Sequence, residues 1–93
     1  MMKKLEIILE SVKLNPALRI LKECEISGYT LIHGVAGTGK HGRQQGFELT
    51  DVTTNVMIIV VEEPEKIYKA AEKLKTMLKN YSGMVLISDV EVF

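Results

Sequence analysis

The sequence predicts an α+β domain in which two helices cover one face of a four-stranded sheet. The chain has 93 residues, 46% of them apolar, a length that allows one domain with a small core. Its apolar residues change cleanly between a period of two and a helical period. These periods follow the β-α-β-β-α-β order of a ferredoxin-like sandwich.

The first half of the chain supplies a strand, a helix and a second strand. Leu5–Glu10 alternates apolar residues with mainly charged ones and predicts the first strand. Asn15 and Pro16 predict the start of the helix, because Asn can cap a helix and Pro is tolerated in its first turn. Gly28 is expected to end that helix, and residues 29–32 are β-favouring and predict the next strand.

The second half repeats the arrangement after a long polar segment. Residues 52–62 predict the third strand, whose centre is an unbroken apolar run. Pro64 marks the start of the second helix, whose apolar residues recur at i, i+3, i+4 and i+7 as far as Tyr81. Gly83 is expected to end this helix, and residues 84–93 predict the last strand.

The third strand is apolar on both faces, although two helices can cover only one face of such a sheet. Ile8 of the first strand likewise points away from Leu5 and Ile7. A strand of this kind needs cover on both sides, and the simplest missing cover is another copy of the chain. We therefore expect a homo-oligomer, the alternative being a monomer with a small exposed apolar patch.

Composition excludes several classes of protein. The 12 Lys and Arg residues balance 12 Asp and Glu residues, which argues against a nucleic-acid partner. Cys24 is the single cysteine and is expected in the core, and with two histidines it forms no spaced ligand set, so we expect no metal site. No apolar run suits a signal peptide or a spanning helix, and we expect a cytoplasmic protein. No nucleophile is placed beside a base, so we expect no enzyme.

The polar segment between the second and third strands concentrates glycine and positive charge. Residues 34–46 contain five glycines, and Lys40, His41 and Arg43 stand there without an acid. Glycines let backbone N–H groups approach an anion closely, and the planar guanidinium of Arg43 suits phosphate. The segment therefore predicts a phosphate or carboxylate site, the alternative being a solvated loop that binds nothing.

Residues 34–40 also fit the G-x-x-x-x-G-K pattern of a P-loop. However, His41 stands where Ser or Thr should hold Mg²⁺, and the element that follows is a predicted strand and not a helix. We interpret the match as chance. An enzyme with a phosphate-binding loop stays as an alternative.

Several stretches resemble, in order, the nitrogen regulatory PII signalling proteins. Residues 3–14 are similar to their opening strand and the start of their first helix, and Gly28-Tyr29-Thr30 resembles their G-x-T before the second strand. Gly42-Arg43-Gln44-Gln45-Gly46 resembles the G-R-Q-K-G at the base of their T-loop, and residues 59–61 match the end of their third strand. Residues 80–85 are more similar to the PII-like proteins associated with bicarbonate transport.

The resemblance implies one PII-like domain over residues 1–93, assembled as a homotrimer, with a T-loop at about 35–51. It implies that AMP, ADP, ATP or cyclic AMP binds in the clefts between subunits, with no prosthetic group. It further implies a signalling role in which the T-loop regulates a membrane transporter or an enzyme. Bicarbonate or another small anion is a further expected partner.

The resemblance also implies which residues bind the nucleotide. Arg43 and Lys40 would contact phosphate, and Gln44 matches a glutamine that binds metal and effector in the family. Thr30 would lie near the adenine. The remaining expected residues are two that let the backbone approach the ligand and two that pack on the adenine: Gly39, Gly42, Ile8 and Val60.

Departures from the family pattern sharpen the expectation. Residues 82–84, in the loop before the last strand, carry no cation, and no arginine follows that strand. Fewer cations favour AMP, ADP or a cyclic nucleotide over ATP. The alternative from another class is a CutA-like divalent-metal tolerance protein of the same trimeric fold, against which the basic glycine-rich segment argues.

Overall fold

The computed structural model describes residues 1–36 and 55–93, and these confirm the predicted α+β fold. The elements are β1 (Met2–Glu10), α1 (Leu14–Glu23), β2 (Thr30–His33), β3 (Asn55–Glu62), α2 (Pro64–Met77) and β4 (Gly83–Val90). The sheet has the order β2-β3-β1-β4, and all neighbouring strands are antiparallel. In the described parts of the chain, no helix is long and apolar enough to cross a membrane.

Both helices pack on one face of the sheet and close a hydrophobic core. The central strands β1 and β3 bury every second residue against the helices, and each fully buried aliphatic side chain contributes about 1.5–3 kcal/mol. Cys24 lies in this core, as predicted. The largest members of the core are Leu5, Ile7, Leu9, Leu21, Val56, Ile58, Val60, Ile67 and Leu74.

The start of α1 differs from the prediction. A short 3₁₀ turn over Ser11–Lys13 leads directly into the helix, so Lys13 occupies the capping position and makes no side-chain capping bond. Asn15 therefore lies inside the first turn, too late to cap the helix, and the prediction that it does so is wrong.

The end of α1 also lies earlier than predicted. The backbone N–H of Ile26 donates to the carbonyl of Leu21 at 3.0 Å, and that of Glu25 donates to Lys22 at 2.9 Å. This pair of bonds is a Schellman motif. Glu25 holds its left-handed position, with φ of 62°, so the helix ends before it reaches Gly28.

The second helix ends at Met77, and Tyr81 lies beyond it with 45% of its surface exposed. Gly83 does not end the helix; it is the first residue of β4. A Cβ atom at that position would come within 2.8 Å of the carbonyl oxygen of Ile8. The close approach of β4 to β1 therefore requires glycine there, which explains why the prediction misplaced this residue.

The strand boundaries differ by a few residues. The first strand begins at Met2, three residues earlier than predicted, and the last ends at Val90. Residues 52–54, which were predicted to open the third strand, lie outside the described residues.

Candidate functional site

The face of the sheet that points away from the helices is largely apolar and uncovered in the single chain. Two rows of side chains cross it, defined by the register of the strands. Ile32 and Met84, at opposite edges of one row, are 42% and 52% exposed. Isolated apolar residues need no explanation on a surface, but a continuous apolar face marks an interaction site. The rows are Ile32, Met57, Ile8, Met84 and Thr30, Ile59, Glu6, Leu86.

Ile8 and Thr30 both lie on this open face, but not next to each other. Thr30 stands on the edge strand β2 and Ile8 on β1, with β3 between them. Two strand spacings separate them by about 10 Å, and they stand in different rows. A ligand that touched only one copy of the chain would have to span β3 to reach both side chains.

Val60 does not share the open face with Ile8 and Thr30. It pairs with Leu5 and is buried against the helices. Side chains alternate along a strand, so its neighbours Ile59 and Val61 take the open-face positions. The unbroken apolar run of β3 gives no indication of which residues face which side; only the register with β1 decides it.

The other five predicted residues, Gly39, Lys40, Gly42, Arg43 and Gln44, lie outside the described residues. The structure does locate the two chain ends that lead to them. The N–H of Gly34 donates to the carbonyl of Asn55 at 3.0 Å. The segment therefore leaves and rejoins the sheet at one end, where β1 and β2 finish and β3 and β4 begin.

A cation that sequence reasoning did not connect with the site lies at this same end. The Nζ atom of Lys13 lies 4.0 Å from the centroid of the Tyr81 ring, a cation–π contact. Lys13 follows β1 and Tyr81 lies in the loop before β4. That loop has no cation at residues 82–84, but the fold brings one beside it.

A polar cluster joins the turn after α1 to the end of β3. Ser27 donates its N–H and its hydroxyl to Glu62 Oε2 at 3.5 and 3.2 Å, and Lys66 Nζ donates to the carbonyl of Glu25 at 3.2 Å. Partial burial opposes ionisation of Glu62, but the N–H groups of Glu63 and Ser27 and the charge of Lys66 outweigh it and lower the pKa of the carboxyl. Glu62 therefore holds the turn after α1 against the end of β3.

Metal chemistry finds no support in the described residues. No three His, Cys, Asp or Glu side chains in residues 1–36 and 55–93 come together as a possible ligand set. His33 is exposed at the end of β2 and Cys24 is buried in the core, so these two potential ligands do not meet.

Comparison with known proteins gives a consistent result. The UPF0166 protein MJ1524 of Methanocaldococcus jannaschii is 32% identical over 78 residues, which are 82% of this chain and 70% of that protein. The structure of CPII, a nitrogen regulatory PII-like protein from Thiomonas intermedia K12 bound to ADP, AMP and bicarbonate, has a TM-score of 0.81 at 29% identity. That match covers 99% of this chain and 92% of CPII.

A second structure of CPII from the same organism, bound to ADP and bicarbonate, also has a TM-score of 0.81, at 32% identity over 98% of this chain and 87% of that one. The family model described as nitrogen regulatory protein P-II matches residues 2–93, which is almost the whole chain. This chain therefore belongs to the P-II family.

Proposed function

We propose that this chain is a PII-like signalling protein that forms a homotrimer in the cytoplasm and binds AMP or ADP in the clefts between its copies. It acts by binding and not by catalysis, and residues 35–51 carry the signal to a transporter or an enzyme. One observation carries the proposal: the apolar open face bearing Ile8 and Thr30 occurs in a chain whose relative CPII holds ADP, AMP and bicarbonate.

The open face supports the assembly. Ile32, Leu86 and Met84 each keep more than two-fifths of their surface exposed, and both helices lie on the opposite side of the sheet. Burial of apolar surface stabilises by about 25 cal/mol per Å², so covering this face with other copies gives a large driving force. The clefts between copies then form at the borders of the covered faces.

The separation of Ile8 and Thr30 supports a ligand shared between copies. Ile8, which stands across from Met57, offers an apolar surface for an adenine ring on one copy. Thr30 stands on an edge strand, where its hydroxyl can reach a ligand held by a neighbouring copy. We place the phosphates toward the end of the sheet where Lys13 lies and where the segment containing Arg43 is attached.

Calorimetry with ADP and AMP, each with and without bicarbonate, tests the proposal. We expect both nucleotides to bind at one site per chain and bicarbonate to alter their affinity. Guanosine diphosphate serves as the control for the base. Absence of binding at millimolar ADP and AMP would contradict the proposed ligand class.

The two arginines of the chain give a matched pair of variants. Arg43→Ala should weaken ADP binding roughly ten- to a hundredfold, because a hydrogen bond from a charged donor contributes about 1.5–3 kcal/mol. Arg19→Ala changes an exposed residue of α1 and should have no effect. Adenosine, which lacks phosphate, should bind equally to all three proteins; equal losses for ADP and adenosine would mean that Arg43 shapes the site and does not hold phosphate.

Hydrogen exchange tests the signalling segment separately. Saturating ADP should slow exchange of the amides in residues 37–47, because bound ligand restricts a glycine-rich chain. If ADP binds and exchange there is unchanged, the nucleotide site stands and the signal does not pass through this segment.

A further inference from the structure

The charged side chains of the open face lie on a central strand, with neighbouring strands on both sides, and not on an edge strand where water reaches them most easily. Among the described residues, β2, β3 and β4 contribute only apolar or uncharged side chains to it. The charged side chains all come from β1, which has a strand on each side. Lys4 and Glu6 stand well inside this strand, whereas Glu10 is its last residue.

The neighbouring strands offer this pair no opposite charge on the open face. Glu6 stands directly across from Ile59 and Leu86 on the neighbouring strands. Lys4 stands across from Val61 and Ser88. Within the described chain the two charges have only each other: Lys4 Nζ lies 3.6 Å from Glu6 Oε2.

The pair is already partly withdrawn from water. The side chains of Lys4 and Glu6 are 32% and 27% exposed, although no other chain covers them. Glu6 lies between Leu86 and Ile59 in one row, so a partner that covers both must also cover Glu6, and Lys4 stands beside it on the same face. A charge withdrawn from water needs a partner of opposite sign, and removing one member of a buried pair is far more damaging than replacing both.

We infer that Lys4 and Glu6 meet across the interface between copies of the chain and fix how those copies align. The inference rests on the proposed homotrimer. In a ring, one patch of each copy meets a different patch of the next copy. Each copy brings one cation and one anion, so every Lys4 can find the Glu6 of a neighbour, while a misaligned copy sets a charge against Ile59 or Leu86.

A double-mutant cycle on assembly measures this role. Lys4→Met and Glu6→Leu should each raise the protein concentration needed for half-assembly by about a hundredfold, because each leaves a covered charge unpaired. The double variant Lys4→Met/Glu6→Leu should recover most of the loss. Sedimentation velocity over a concentration series gives the midpoints, and circular dichroism checks that each variant is folded.

Lys3→Met is the matched control. Lys3 precedes Lys4 but belongs to the opposite face, and its Nζ is hydrogen-bonded at 2.6 Å to Asp89, whose side chain is 70% exposed. This substitution should leave the midpoint of assembly unchanged. If Lys4→Met and Glu6→Leu also leave it unchanged, the inference is overturned while the trimer stands. A wild-type chain that stays monomeric at micromolar concentration overturns the trimer itself.

Mixing charge-reversed chains shows whether the pair crosses the interface. Lys4→Glu alone sets acid against acid at each contact, and Glu6→Lys alone sets base against base, so each variant should assemble poorly. In a mixed ring of three, two of the three contacts pair opposite charges, so mixing should restore assembly at least tenfold. Poor assembly of the mixture would show that the two charges pair only within one chain and would overturn the inference.

Discussion

The helix-covered face and the open face of the sheet differ in how completely one chain can bury them. Leu5 and Ile58 on the covered face are fully buried, whereas Ile32 and Leu86 on the open face remain 42% and 44% exposed. Both faces come from the same strands, because alternate residues point to opposite sides. An apolar pattern therefore shows where burial is needed but not which chain supplies it: the helices of the same chain cover one face, and the proposed assembly would cover the other.

Two adjacent isoleucines make the sharpest test of this comparison. Ile58 is fully buried against the helices and Ile59 is half-buried on the open face. Ile58→Ala should lower the free energy of unfolding by about 2–5 kcal/mol at any protein concentration, because it leaves a cavity in the core. Chemical denaturation at several protein concentrations measures the free energy of unfolding of this variant and of the matching variant at Ile59.

Ile59→Ala should behave differently. In the dissociated chain it should lower the free energy of unfolding by about 1 kcal/mol or less, the span typical of strand substitutions. Its effect should grow with protein concentration, since the proposed assembly would bury this residue fully. Equal effects of both variants at low concentration would mean that the chain closes its open face by itself.

The sequence allowed the covered face to be predicted well and the open face only in outline. Alternation over Leu5–Glu10, interrupted only by the apolar Ile8, marked the core side of β1. The unbroken run of β3 carried no such signal, so Val60 was assigned to the ligand although it is buried against the helices. Deciding which face of the sheet Val60 occupies requires the pairing of β3 with β1, which is a long-range property that a local sequence pattern does not contain.

Helix ends were predicted less well for a related reason. Asn15 and Gly28 have the right chemistry for caps, yet neighbouring residues took both places. Glu25 adopts a backbone conformation that favours glycine, while Ser27 and Lys66 hold the turn through contacts distant in sequence. Such tertiary contacts override a local preference.

The pairing of β1 with β4 contributes side chains to both faces of the sheet, and at Gly83 the two strands leave no room for a Cβ atom. Gly83→Ala should lower the free energy of unfolding by about 1–3 kcal/mol, because the new Cβ would lie 2.8 Å from the Ile8 carbonyl oxygen and the strands must shift. Gly28→Ala is the control, since nothing lies within 4 Å of a Cβ there. Thermal unfolding of both variants checks this. A Gly83 variant as stable as the control would show that β4 is not fixed at this point.

The turn after α1 is held to the covered face by Ile26 in the core and by the bonds of Ser27 to Glu62, so changes there should alter folding and leave assembly unchanged. Glu25→Gly should raise the free energy of unfolding by about 0.5–1 kcal/mol, because it removes the strain of a left-handed residue with a side chain. Glu23→Gly, two residues earlier inside α1, should lower it by about 1 kcal/mol. Denaturant titration shows whether the free energy of unfolding rises or falls in each variant. A fall in both would contradict the left-handed backbone conformation of Glu25.

Glu62 gives the smallest effect, and it depends on pH. Its pKa in the folded chain lies below the ordinary value of 4.5, so the charged form stabilises the fold above that pH and the gain disappears as pH falls through the lower folded value. Glu62→Gln cannot titrate, and should be about 0.5–1 kcal/mol less stable than the wild type at pH 7 but equal to it at strongly acid pH. Ser27→Ala removes one hydroxyl donor and should reduce this pH-dependent difference without abolishing it, because the N–H donors and Lys66 remain.

Urea unfolding of the three proteins, from pH 7 down to acid conditions, measures the free energy of unfolding of each. Subtracting the value of a variant from that of the wild type removes the contribution of the other carboxyl groups, which all three proteins share. If this difference in stability stays constant with pH, the loss comes from packing and not from the charge of Glu62. If a variant changes the assembly, this turn also contributes to the open face.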